Sequence, residues 1–151
     1  MVRAAVAVLL LAVIAIPADA AGPVPQAAAT DQPFVMIVHP SNPASELTRG
    51  EVSDIFLKHT TEWPTRVPVH PVDQAQASAT RHAFSRAVFG KDVATIQSYW
   101  YQQLYAGRSV PPLEVPDDGA VVAAVRDDPG AIGYIASGPL PVGVKAVRVM
   151  P

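Results

Sequence analysis

Phe34-Val35-Met36-Ile37-Val38 is the stretch on which the fold turns. Five consecutive apolar residues make a strand-length run without polar alternation, the pattern of a strand covered on both faces, as in parallel α/β sheets. The run stops at His39-Pro40-Ser41-Asn42-Pro43, where prolines and short polar residues favour a turn. Next, Thr48-Arg49-Gly50-Glu51 fits a capping box with Leu47 and Val52 as its hydrophobic staple, so Val52, Ile55 and Phe56 form the buried face of a short helix. Val67 to Val72 is a second strand candidate, interrupted by Pro68 and Pro71 and therefore short or near an edge. A helix from about Ser78 to Phe89 buries Phe84 and Val88. Another, capped by Asp92, buries Val93, Ile96, Trp100 and Leu104 and ends at Gly107. Beyond Pro111-Pro112, Asp117 or Asp118 caps a helix that buries Val121, Val122 and Val125. Pro129-Gly130 breaks it, and strands follow at Ala131 to Ile135 and Val144 to Val149.

This order, βαβαααββ, predicts a parallel or mixed sheet covered by helices, in which ligands sit beyond the carboxyl ends of the strands. Attention therefore falls on the loops after Val38 and Val72.

Outward from the domain, Arg3, the apolar run Ala4 to Ile16, Pro17 and then Ala18-Asp19-Ala20 read as an export signal with an A-x-A cleavage pattern. The apolar run is shorter than the roughly 20 residues a spanning helix needs. Residues 1–20 are expected to be removed, with a mature chain from Ala21, a flexible Ala/Pro/Gln-rich leader over 21–33 and one folded domain over 34–151. That places the protein in the periplasm or outside the cell. The 151 residues contain no cysteine, so neither a disulfide framework nor a thiolate metal site is possible. A net charge of −2 with no Lys/Arg run argues against a nucleic-acid partner.

Candidate chemistry is sparse. Ser78-Ala79-Thr80-Arg81 offers two hydroxyls, the free N–H groups of a helix start and a guanidinium, which together could bind an oxyanion. Ordinary capping with a solvated Arg81 explains the same residues. Ser41-Asn42, beside His39, ends the first strand and reads either as ligand contacts or as turn chemistry. His39, His59, His70 and His82 lack the spacing of a metal site, and there is no G-x-S-x-G or G-x-x-x-x-G-K-[ST] motif, so neither a metal, a cofactor nor an enzyme is expected. Trp63, Tyr99, Trp100, Tyr101 and Tyr105 cannot all face one core, so some are partly exposed.

Four ordered segments together resemble the substrate-binding proteins of phosphate ABC transporters, in particular short PBP-like domain proteins. They are Pro40-Ser41-Asn42-Pro43 ahead of Leu47-Thr48, Val52-Ser53-Asp54-Ile55-Phe56-Leu57-Lys58 followed by Trp63, Ser78-Ala79-Thr80-Arg81-His82-Ala83-Phe84, and Pro129-Gly130-Ala131-Ile132-Gly133-Tyr134. The resemblance runs from about Phe34 onward. It implies one three-layer α/β lobe like a single domain of a type II periplasmic binding protein, with a mixed, mostly parallel sheet flanked by helices. It further implies phosphate or a similar oxyanion as ligand, held by Ser78, Thr80 and Arg81 with Ser41 and Asn42 as second contributors. An inner-membrane ABC permease or another envelope protein is the implied partner. Ala79 stands where the family usually has Gly. The alternative is an interaction module that keeps the lobe without the ligand and contacts a protein partner.

Overall fold

The computed structural model describes residues 32–151, so the expected export signal and nearly all of the expected leader lie outside the described residues. The elements are β1 (Phe34–Val38), β2 (Glu46–Thr48), α1 (Arg49–Phe56), β3 (His70–Gln74), α2 (Ala79–Phe89), α3 (Val93–Tyr105), β4 (Leu113–Val115), α4 (Asp118–Asp127), β5 (Ala131–Ala136) and β6 (Lys145–Met150). One six-stranded sheet runs in the order β2-β6-β1-β5-β3-β4. Three of its five pairings are parallel, while β1 lies antiparallel to both β5 and β6. The sheet is mixed and mostly parallel, as expected, but its central apolar strand is the antiparallel one.

Burial on both faces explains the continuous apolar run of β1. Met36 and Val38 pack with Val52, Ile55 and Phe56 of α1 and Phe84 and Val88 of α2, whereas Ile37 packs with Val121, Val122 and Val125 of α4. Tyr134 of β5 lies fully buried under the first group, stacked on Phe84 at 4.0 Å between ring centroids and edge-on to Phe34. No helix among the described residues is long and apolar enough to cross a membrane.

Helix α1 starts as predicted: Thr48 Oγ1 accepts from Glu51 N–H and the Glu51 carboxylate accepts from Thr48 N–H. Three expectations shift. The second strand occupies His70–Gln74 rather than Val67 to Val72, because Val69 N–H pairs with Thr61 O and Trp63 N–H with Val67 O within the loop that precedes the strand. The three-residue edge strands β2 and β4 carry no periodic signal and were not anticipated. Leu104 is 45% exposed instead of buried, since only Val93, Ile96 and Trp100 of α3 reach the interior.

The Pro129–Tyr134 segment owes two glycines to close packing. A methyl group on Gly130 would stand 2.2 Å from the Pro68 carbonyl oxygen, and one on Gly133 would stand 2.4 Å from Val121 Cγ1. Trp63 Nε1–H also donates to the Gly130 carbonyl at 3.0 Å, tying the 60–68 loop to the start of β5. Gly130→Ala is therefore expected to cost about 1–3 kcal/mol by overpacking. Gly138→Ala, where nothing lies within 4 Å of the new methyl, serves as the control that leaves the urea midpoint unchanged.

Hydrogen bonds from Thr48 hold the Glu51 carboxyl below its ordinary value of 4.5. A lowered folded pKa gives stability that is present above the unfolded value and lost as pH falls through the folded one. Thr48→Ala should thus cost on the order of 1 kcal/mol at neutral pH and less in acid, as read by urea unfolding at both pH values.

Candidate functional site

Strand direction decides which of the predicted contacts can meet. Val38 is level with Ile132 and, through it, with Pro71, so the end of β1 lies beside the start of β3. Ser41 and Asn42 consequently sit at the end of the sheet opposite Ser78, Thr80 and Arg81. They serve their own turn: Ser41 Oγ lies 2.7 Å from His39 Nδ1, buried Asn42 Oδ1 accepts from Ala44 N–H, and the Asn42 carbonyl accepts from Lys145 Nζ. Reading β1 as parallel had put both loops at one end; its antiparallel pairing separates them.

At the carboxyl ends of β3 and β5, the starts of α2 and α4 converge. Gln74, Ser78, Thr80, Pro116, Asp117, Asp118 and Gly119 line an open concavity of about 360 Å³ between them. Ser78 is the N-cap of α2, its Oγ accepting from Arg81 N–H at 3.3 Å, and Asp117 is the N-cap of α4, accepting from Ala120 N–H at 2.9 Å. The remaining N–H groups of each first turn have no intrahelical acceptor, and each helix start carries the positive end of its dipole. Ala79 opens α2 in ordinary helical conformation, since among the described residues the only non-glycine ones with positive φ are Lys58 and Arg66. A groove of about 370 Å³ between Leu47, Ile55, Trp63 and Pro64 is similar in size. Its walls mix these side chains with Glu51, Thr60, Glu62 and Arg66, and none of its lining residues belongs to the start of α2 or α4.

Beneath the concavity runs a buried polar network that motif reading did not find. Arg81 is 6% exposed, and its guanidinium pairs with Asp73 Oδ2 at 3.0 Å and Glu114 Oε2 at 2.7 Å while also donating to the Gln74 carbonyl. Asp73 Oδ1 accepts from the Tyr134 hydroxyl and from Gln74 N–H. Gln74, 1% exposed, joins Ser78 Oγ at 2.6 Å, Asp118 Oδ1 at 2.6 Å and the Tyr134 carbonyl at 2.9 Å. The other Asp118 oxygen accepts from Ala136 N–H. Burial pushes the Asp73 carboxyl above its ordinary value against the opposing pull of Arg81 and its hydrogen bonds. Burial, with Asp73 adjacent, pushes the Tyr134 hydroxyl far up as well, so it stays a proton donor. Arg81 is thus neither solvated nor free: it is an internal counter-ion.

Of the five predicted contacts, the structure gathers Ser78, Thr80 and Arg81 at one end of the sheet, with Thr80 lining the concavity and Arg81 buried beneath it. Gln74, Asp118 and Glu114 were missed. The sequence sign of such a site is a polar pair, here Asp73-Gln74, closing a strand ahead of a capped helix.

The layered mixed sheet and its crevice between helix starts define a periplasmic-binding-protein type of lobe. The sequence profile of the PBP superfamily domain matches residues 18–146, and the chain belongs to that family. Among solved structures it is similar to a protein of Clostridium perfringens described as a phosphate ABC transporter substrate-binding protein with bound phosphate, at 26% identity and a TM-score of 0.62 over 77% of this chain and 44% of that one. An ABC-type phosphate transport receptor from Vibrio cholerae shares the fold at 21% identity and a TM-score of 0.61, over 77% and 45% of the two chains. PstS from Borrelia burgdorferi shares it at 12% identity and 0.56, over 77% and 46%. The chain thus spans less than half the length of each of these proteins. No curated protein matches it.

Removing Arg81 should leave the Asp73 carboxylate unpaired in the interior. Arg81→Met is expected to destabilise the protein by about 3–5 kcal/mol at neutral pH without any ligand present. Because the Asp73 pKa is then raised further, the carboxyl is best tolerated when protonated, and the loss should deepen as pH rises through that raised value. Urea unfolding of both proteins across acid and neutral pH measures it.

Proposed function

We propose that the chain is an exported, non-catalytic solute-binding protein that holds a small oxyanion of the phosphate class where α2 and α4 begin, and presents it to an inner-membrane ABC permease. In this reading residues 1–20 are cleaved, the mature chain starts near Ala21, and the domain works in the periplasm or outside the cell. The observation that carries it is the convergence of two helix starts and the Thr80 side chain on one concavity at the carboxyl ends of parallel strands. The bound phosphate of the C. perfringens protein supports the ligand class.

Asp117 and Asp118 beside the concavity set a condition on that ligand. A carboxylate repels a bare dianion but accepts a hydrogen bond from an oxyanion that keeps a proton. Phosphate keeps one at neutral pH, and sulfate does not.

A second reading, a lobe that contacts a protein partner without holding solute, is favoured by one observation: the charge of Arg81 is already neutralised by Asp73 and Glu114. Thermal unfolding of the exported chain separates the two. Millimolar phosphate should raise the midpoint by mass action, and sulfate should do so less. Failure of both anions to move it would sink the oxyanion reading in favour of the partner-binding lobe.

A further inference from the structure

We propose that Gln74 decides which hydroxyl of the Ser78–Thr80 segment can meet a ligand, by engaging the only proton of Ser78 and leaving Thr80 as the side-chain donor. The inference rests on the oxyanion reading above and assigns roles within that site.

It follows from the orientation of one buried amide. Gln74 Nε2 lies 2.6 Å from Asp118 Oδ1 and 2.9 Å from the Tyr134 carbonyl oxygen. A carboxylate and a backbone carbonyl only accept, so the reverse orientation would set the Gln74 carbonyl against two acceptors. Oε1 must then be the atom that faces Ser78 Oγ at 2.6 Å. Having no hydrogen, Oε1 can only accept, and the Ser78 hydroxyl has to donate. A serine hydroxyl carries one hydrogen and two lone pairs. One of those lone pairs takes the Arg81 N–H in the helix cap. Ser78 therefore has no hydrogen left to offer an oxyanion. Thr80, two residues on, lines the same concavity, and its hydroxyl has no hydrogen-bond partner among the described residues. Because Gln74 also grips Asp118 in the first turn of α4, the same side chain fixes the spacing of the two helix starts. It is a positioning residue, acting on the ligand through Ser78 and Asp118.

Calorimetric titration of inorganic phosphate into the full chain tests the assignment. Thr80→Val should weaken binding about tenfold or more, the loss of one hydrogen bond to a charged group. Thr80→Ser, which keeps the hydroxyl, should stay within about twofold of the unaltered protein. Ser78→Ala should weaken the helix cap yet also keep the affinity within about twofold. In a Gln74→Met background the Ser78 proton is released, so Ser78→Ala should then cost several-fold in affinity, an effect that a purely structural role for Gln74 would not produce. If Gln74→Met does not fold, the comparison of Ser78→Ala with Thr80→Val in the unaltered background decides alone. Equal losses in those two variants would overturn the inference while leaving the oxyanion reading intact. No phosphate binding by the unaltered chain would remove that reading, and the inference with it.

Discussion

A carboxylate near the end of β3, with its side chain 11% exposed and a stacked aromatic ring beneath it, must be neutralised from within the fold. Asp73 is that carboxylate, and the elements at its end of the sheet are arranged around it. Helix α2 supplies Arg81, β5 supplies the Tyr134 hydroxyl, and the edge strand β4 brings Glu114 to the outer side of the same guanidinium. Tyr134 joins this polar group to the aromatic core, since the ring that stacks on Phe84 carries the hydroxyl that donates to Asp73. The position of α2 is thereby set by charge as well as by packing, and the entrance of the crevice follows from where α2 begins.

The network also limits what the crevice can do. Gln74, Ser78 and Arg81 satisfy one another and the neighbouring acids, so the donors left for a ligand are backbone N–H groups and the Thr80 hydroxyl. If the crevice holds the proposed oxyanion, donors of this kind would select it by shape and protonation more than by net charge. Fixed, uncharged donors cost little reorganisation, whereas a free guanidinium would draw in any anion.

The core was legible because its signals are local. The apolar run of β1, the Thr48–Glu51 box and the valine spacing of α4 can each be read within one short stretch of sequence. Polar burial was not legible. Asp73 and Gln74 look like the polar end of a loop, and it takes pairing with β4 and side-chain partners up to 61 residues away to hold them buried in a strand. The pairing direction of β1 was equally hidden, because a strand covered on both faces has the same composition whichever way its neighbours run. That single ambiguity placed Ser41 and Asn42 at the wrong end. Arg81 shows the same limit, as its spacing gives a helix residue near an anion-ready start and nothing in it reveals the two acids that occupy it.

The antiparallel seat of β1 has a bearing on how the molecule forms. Phe34 pairs with Ala136 and Met36 with Val147, so both neighbours of the central strand are made about 100 residues after it. Until β5 and β6 have been synthesised, β1 has an unsatisfied backbone on both edges and the aromatic cluster lacks its middle ring. Loop-closure entropy opposes such distant pairings, and chains dominated by them fold slowly. The core around β1 therefore cannot close until β5 and β6 are available to pair with it. If the chain is exported unfolded, as proposed above, late pairing of β1 would keep the core from closing ahead of passage.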